Sequence, residues 1–304
     1  MAIPLSGYRD ARLLRASGQA RVYEAVREAD GRAVVAKVFE LQGAENLEAR
    51  VEHELALIRA LDVDGVVEAL GMQRVGDQLV LLLARIPGVD LATFTGGIPL
   101  AIDTFLAIAI SLAEILDRVH ARRVIHRDIK PANILIEPES RRIYLADFGI
   151  SVLLESQRRH IYDPSVLQGT LPYISPEQSG RTGRSVDFRS DLYSLGVTFY
   201  ELLTGRRPFA QGAPLELIHA HLARAPQPPQ SLRPELPDAL SRLVLKLLAK
   251  APEHRYQTAA GLAADLRQIR DLFELGGAGD ASLSFVLGRD DLPRSLQLPH
   301  QLYG

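Results

Sequence analysis

Residues 124 to 136, VIHRDIKPANILI, set His126, Arg127, Asp128, Lys130 and Asn133 between two apolar runs. A short charged loop held on apolar stems is a way to fix polar groups in space. Asp128, the lysine two positions on and the asparagine five positions on leave one extended loop together, and DFG follows at 147 to 149, fourteen residues after Asn133. Carboxylate and amide oxygens are hard ligands suited to magnesium, which takes few protein groups and completes its shell with phosphate oxygens. The spacing therefore points to a metal and phosphate site. Upstream, Lys37 stands in the strand-like VVAKVF, and Glu54 in the helix that follows; an ion pair between them would hold the ammonium toward phosphates. Glu52 is the competing partner on that helix, whereas His53, His219 and His221 read as ordinary surface or core histidines.

The elements that must position these groups change character along the chain. Residues 11 to 39 alternate and are rich in β-branched side chains, with an Asp30-Gly31 hairpin signal. From 44 to 61, Leu47, Val51, Leu55, Ile58 and Leu61 recur at three-and-four spacing, which predicts an amphipathic helix. Two strand-like runs follow, 66 to 74 and 78 to 86, separated by a Gly76-Asp77 turn, so the first 86 residues read as five strands and one helix. After IPGVD the pattern predicts helices at 102–121, 190–204, 214–224, 238–249 and 258–273, with the proline-rich 225–237 as a connection between two of them. The fold class is α+β: a small antiparallel β lobe with one helix at 8–86, a larger helical lobe at 87–273 and a linker-like tail at 274–304, with ligands expected at the interface of the lobes.

Composition narrows the function classes. The 35 basic residues nearly balance 37 acidic ones, so the net charge of −2 gives no reason to expect nucleic acid or an anionic membrane as partner. Cysteine is absent, which excludes disulfides and thiolate metal sites and fits a reducing, cytoplasmic setting. The start, MAIPLSGYRDARLLR, has no secretory apolar core, and the apolar stretch FLAIAISLAEIL is too short to span a membrane and contains Glu114.

Together HRDIKPAN, DFG, Lys37 and Glu54 resemble the protein kinase family, specifically the eukaryotic-like serine/threonine kinases of bacteria, over residues 8 to 272. The resemblance extends to GTLPYISPEQ (169–178), the end of an activation segment, and to SDLYSLGVTFYELLTGRRPF (190–209), a central helix whose Asp191 would brace the catalytic loop. It implies a bilobal kinase using ATP and Mg2+ to phosphorylate a protein substrate. Asp128 would accept or orient the substrate hydroxyl, Lys130 would neutralise the transferred phosphoryl, and Asn133 and Asp147 would hold the metal. Lys37, paired with Glu54, would hold the α- and β-phosphates, with Thr170 near Asp128 and Lys130, and Glu177 paired with Arg255. His126 would brace the loop around DFG, and Arg127 would face the activation segment. Val22, Val35 and Leu135 would sandwich the adenine, with Leu83 behind it, Ala84 and Ile86 in the hinge and Asp90 at the ribose.

The chain departs from the family pattern in three places. The phosphate-covering loop, RASGQARV, keeps Gly18 as its only glycine, which restricts its backbone and implies looser ATP binding. Ala84 and Arg85 stand in the hinge where an acidic and an aromatic residue are common. Val166 occupies the usual activating phosphothreonine position, leaving Ser151, Ser156 and Ser165 as alternatives or a loop that needs no phosphate. The connector-like tail FVLGRDDLPRSLQLPHQLYG, with GTLPYISPEQSGRTGRSVDFRSDLYSLG, is similar to the amino-terminal kinase domain of large hybrid bacterial signalling proteins, implying ATPase-like and sensor histidine kinase domains further along. The rival readings are a pseudokinase that binds nucleotide and relays a signal, and a small-molecule phosphotransferase of kinase-like fold, which lacks the GTLPYISPEQ segment.

Overall fold

The computed structural model describes residues 7–16, 20–41, 47–148, 171–209, 212–275 and 285–292. These divide into two compact units, one holding the described parts of 1–94 and 126–170, the other those of 95–125 and 171–304. Packing thus groups the loop around Asp128 with the β-rich unit, although it lies beyond residue 86 in the chain.

The first unit is built on an antiparallel sheet of order β1-β2-β3-β5-β4, from β1 (Tyr8–Ala16), β2 (Ala20–Arg27), β3 (Ala33–Glu40), β4 (Ala69–Val75) and β5 (Gln78–Ala84). Side chains alternate between faces along a strand. Val34, Ala36 and Val38 accordingly join Tyr23, Ala25, Val80 and Leu82 in one buried cluster. Register then puts Lys37 opposite Val22 on one side and Leu81 on the other, and Val35 opposite Leu83, so these share the second face. Helix α1 (Leu47–Leu61) buries Leu47, Val51, Ile58 and Leu61. Glu54, three residues after Val51, falls on the same stripe and is 3% exposed, while Leu55 is only half-buried and Glu52 is exposed.

The predicted strand at 66–74 begins later, at Ala69. Val66 instead makes a parallel bridge to Leu145, and Leu145 donates its N–H to Gly65 O at 2.7 Å. A second sheet, unanticipated from the sequence because its strands are so short, pairs β6 (Val89–Asp90), β7 (Ile134–Ile136) and β8 (Ile143–Leu145). Gly88 is required beside it, since a Cβ there would lie 2.2 Å from Ile136 O. The short helix α2 (Leu91–Thr95) comes directly after β6.

The second unit contains α3 (Ile102–Ala121), α4 (Phe188–Thr204), α5 (Pro214–Ala223), α6 (Pro229–Leu232), α7 (Asp238–Leu247) and α8 (Ala259–Glu274). All five predicted helices form. Helix α4 starts two residues before its predicted Ser190 because Asp187 caps it, accepting from Arg189 N at 2.8 Å, and it stops at Gly205, which has φ +71°. The helix is buried around most of its circumference, with Phe199 edge-on to Phe105 at 5.1 Å. Gly196 brings it against α7, where a Cβ would stand 2.6 Å from that of Leu247. Within the proline-rich connection a single turn, α6, forms. Among the described residues no helix is long and apolar enough to cross a membrane.

Residues 285–292, expected to be linker, pack on the start of α8. Phe285 is buried, Gly288 N donates to Asp265 at 2.6 Å, and Asp291 accepts from Gln257 N at 2.6 Å and from Thr258 N and Oγ1 at 2.8 Å. Hydrogen bonding to the backbone at a helix start, rather than apolar periodicity, holds this segment.

Glu177 and Arg255 form the expected pair, fully buried at 2.7 and 2.9 Å, and Arg255 also donates to the carbonyls of Arg189, Ala249 and Lys250. Removing one partner of such a pair strands the other charge. Arg255→Met is therefore expected to lower the stability of the domain by about 3–5 kcal/mol in denaturant unfolding. A loss below about 1 kcal/mol would contradict this account of the pair.

Candidate active site

The loop after α3 places its polar groups by mutual hydrogen bonding. Lys130 Nζ donates to both carboxylate oxygens of Asp128, at 2.9 and 2.8 Å. Asn133, in a tight 3-10 turn opened by Pro131, donates from Nδ2 to Asp128 Oδ2 at 2.8 Å and to its backbone oxygen at 2.9 Å. All three are buried, at 6%, 9% and 2% exposure. Ala146 N donates to Asn133 O at 2.9 Å, which fixes the neighbour of Asp147 beside the loop. His126 locks the same junction. Its Nε2 donates to Ala146 O at 3.1 Å, its Nδ1 accepts from Asp128 N at 3.3 Å, and its ring packs on Phe148 at 4.5 Å.

Lys37 does not make the expected ion pair with Glu54. Its Nζ bonds Asp147 Oδ1 at 2.7 Å, and Glu54 Oε2 is a buried oxygen with no hydrogen-bond partner. Burial pulls the Lys37 ammonium down, but the charges of Asp147 and Glu54 outweigh it and leave the group above its ordinary value. Burial acts against the Asp147 carboxylate too, and Lys37 more than reverses it, holding the group below the usual range. Glu54 is dominated by burial, only partly offset by Lys37, and its carboxyl is pushed up to about 8. The physical reason for the altered pairing is that the ammonium is committed to Asp147, so Glu54 avoids an unmet buried charge by holding its proton.

Val22 and Val35 lie half-buried on the sheet face that carries Lys37, with Leu83 buried beside Val35. Ala84 ends β5 and Ile86 comes two residues later, both half-buried. Leu135 sits in β7 directly opposite Asp90, whose carboxylate is engaged in starting α2 through Thr93 N and Oγ1, each at 2.9 Å. Gly18 and Thr170, with Val166 and the serines at 151, 156 and 165, lie outside the described residues.

Two features were missed in the sequence. Asn133 steadies Asp128 directly, a second task for a residue read only as a metal ligand. Arg85 in the hinge donates to Glu24 at 2.7 Å, with Arg12 on the other oxygen at 2.8 Å; Arg85 and Glu24 are 61 residues apart, so no local pattern pointed to the contact.

The donor set suits a hard cation. Asn133 uses Nδ2 for its contacts with Asp128, which leaves its carbonyl Oδ1 as the arm available to a metal, and Asp147 supplies carboxylate oxygens next to it in the backbone network. A magnesium ion held by two such groups would complete its shell with phosphate oxygens and water.

A strand-borne lysine facing an aspartate, beside a loop carrying Asp-x-Lys-x-x-Asn, defines the site of a phosphotransferase of the protein kinase type. Residues 9–266 match the family of protein kinase domains, and the chain belongs to it. It is 38% identical over 183 residues to serine/threonine-protein kinase PknB of Mycolicibacterium smegmatis, covering 60% of this chain and 28% of that protein. It is 36% identical to hybrid signal transduction histidine kinase G of Dictyostelium discoideum, covering 56% of this chain and 7% of that one. Its fold matches the crystal structure of a double mutant of the Mycobacterium tuberculosis PknI kinase domain with a TM-score of 0.69 at 25% identity, over 88% of this chain and 97% of that one. The chain thus spans well under half of the curated relatives it matches.

The Glu54 carboxyl generates a pH dependence. Its folded value near 8 lies above the ordinary 4.5, so its stabilising contribution is full below 4.5 and is lost as pH rises towards about 8. Glu54→Gln is expected to remove that part of the fall, on the order of 1–4 kcal/mol, from stability curves measured between the two values. Parallel curves for the two proteins would contradict it.

Proposed function

We propose that this domain is a serine/threonine protein kinase that transfers the γ-phosphoryl group of ATP to hydroxyls of a protein substrate. The observation that carries this reading is the buried Asp128 carboxylate, gripped by Lys130 and Asn133 within a loop bonded to the residue before Asp147. In the reaction a substrate Oγ bonds to the γ-phosphorus, the bond from that phosphorus to the bridging oxygen of ADP breaks, and the hydroxyl proton passes to Asp128. Lys130, bonded to Asp128, would neutralise the phosphoryl in flight, and Lys37 would serve the α- and β-phosphates. Asn133 Oδ1 and Asp147 would hold magnesium, which supplies charge neutralisation of the phosphate oxygens when bound. Val22, Val35, Leu83 and Leu135 suit an adenine ring, with Ala84 and Ile86 offering backbone groups and Asp90 the ribose contact.

A regulatory module that binds nucleotide without transfer is the second reading. The Lys37 to Asp147 pairing and the unmet Glu54 favour it. Against it stands the complete set of Lys37, Asp128, Asn133 and Asp147. The wider setting we infer is a bacterial, cytoplasmic signalling protein in which further domains, ATPase-like and histidine kinase in type, come after this one.

Labelled phosphate from γ-labelled ATP is expected to enter serine or threonine with the unaltered protein. Asp128→Ala and Asp147→Ala should lower incorporation by about 10²–10⁴-fold in samples shown to be folded by circular dichroism, since each change also strands a buried lysine and lowers the melting temperature. Equal trace incorporation by all three proteins would leave the regulatory reading standing instead.

A further inference from the structure

Two open clefts are lined by other residues, one on each unit, and their cations differ in availability. The first, of ≈530 Å3 on the β-rich unit, is lined by Arg27, Arg32 and Arg59. There Arg27 is paired with Asp30 at 2.5 Å, Arg32 with Glu68 at 2.6 Å, and Arg59 donates to the carbonyls of Ala69 and Leu70. Its positive charge is already met from within.

The second cleft, of ≈600 Å3 on the helical unit, lies between the end of α4 and the stretch after α5, with Arg206, Arg207, Arg224 and Glu201 beside Phe209 and Pro226. Among the described residues no carboxylate pairs with any of these three guanidinium groups, whereas nearby Arg233 is paired with Glu235 and donates to Leu100 and Leu203. Glu201, the one anion of the set, accepts from Tyr173 OH at 2.5 Å. Three cations line the cleft with one already engaged anion, and Pro208, Phe209 and Pro226 line it beside them. Such a lining, on a chain of net charge −2, is a local exception to its own electrostatics.

We propose that this cleft is a docking site for an acidic segment of the protein substrate, bearing carboxylates or phosphoserine; the substrate role rests on the kinase reading. Guanidinium forks meet carboxylate and phosphate oxygens two at a time, and a proline and aromatic lining suits an extended chain rather than a lone inorganic ion. Nucleic acid is the poorer fit, because the basic groups form one cleft and not a stripe that tracks a phosphate backbone. Through the bond from Tyr173 to Glu201 the cleft is tied to the 171–178 stretch, which the kinase reading makes the end of the activation segment.

The test uses the full chain and three labelled peptides with the same acceptor serine: one with a run of Glu and Asp, one with phosphoserine in that run, and one with Gln and Asn instead. Fluorescence anisotropy is expected to show both acidic peptides binding about tenfold or more tighter than the neutral one, with the advantage shrinking as salt rises. The triple variant Arg206→Glu, Arg207→Glu, Arg224→Glu should abolish that advantage and raise KM for acidic peptides while kcat holds; the triple alanine variant should fall between. Tighter binding of the phosphoserine peptide than of the Glu and Asp peptide assigns a phosphorylated anchor, and equal binding a carboxylate one; both support the site. Acidic and neutral peptides binding alike, an unchanged advantage in the charge-reversed protein, or equal competition by a single-stranded oligonucleotide would each overturn it. Failure of the kinase reading would look different: selective binding of the acidic peptides with no phosphate entering any of them.

Discussion

Burying a carboxylate is costly unless its oxygens are met, and the loop around Asp128 is organised by that requirement. Ile129, Ile134 and Ile136 are buried in the stems, so the loop cannot turn its charge outward without giving up apolar contacts. Lys130 and Asn133 therefore close over Asp128, and the backbone of Asn133 in turn binds Ala146. Arg127 and Asp147 are both held in the left-handed region, at φ +67° and +63°, a conformation that side-chain-bearing residues adopt at a cost of order 1–3 kcal/mol. The strain persists because the network on either side fixes the peptide planes. A loop assembled this way is preorganised: its charged groups are oriented before any ligand arrives.

Lys37 is the point where Asp147, just after β8, and Glu54, on α1, compete for one cation. Strand register fixes where its stem emerges, and the ammonium bonds Asp147 at 2.7 Å. Glu54 is fixed just as firmly, by its place between Val51 and Ile58 on the buried stripe of α1. The helix cannot expose Glu54 without rotating its apolar residues outward, so the carboxyl stays buried and responds by retaining its proton. Any rearrangement that brought Lys37 to Glu54 would restore the charge of that carboxyl and release Asp147 for other partners. The pair Asp147 and Glu54 is in this sense one site with one counter-charge.

Much of this was legible in the sequence because local physics and global fold agree. The five longer helices of the second unit follow apolar spacing, and the starts of α4 and α8 differ from expectation because a side-chain cap, Asp187 or Thr258, sets the boundary. That Asp128, Lys130 and Asn133 meet was readable because they leave one short loop together. Three things were not readable, each for a physical reason. Strands β6 to β8 are held by partners distant in sequence and are too short to show alternation. The choice of Lys37 between Glu54 and Asp147 is an electrostatic balance that depends on burial. The docking of 285–292 rests on Asp291 and Gly288, whose hydrogen bonds carry no periodic signal.

The two units solve the problem of buried charge in different ways, and the difference bears on what each is for. Arg255 and Glu177 are sealed from solvent, and Arg255 commits its remaining donors to three backbone carbonyls, so the pair stitches together the segment after 171, the start of α4 and the turn before α8. Nothing is left over for a ligand. Around Asp128 and Asp147 the counter-charges are the ammonium groups of Lys130 and Lys37, compact and rotatable donors rather than rigid guanidinium forks. A fixed guanidinium pair therefore holds the scaffold of the second unit, while the buried carboxylates of the first are met by ammonium groups that can reorient.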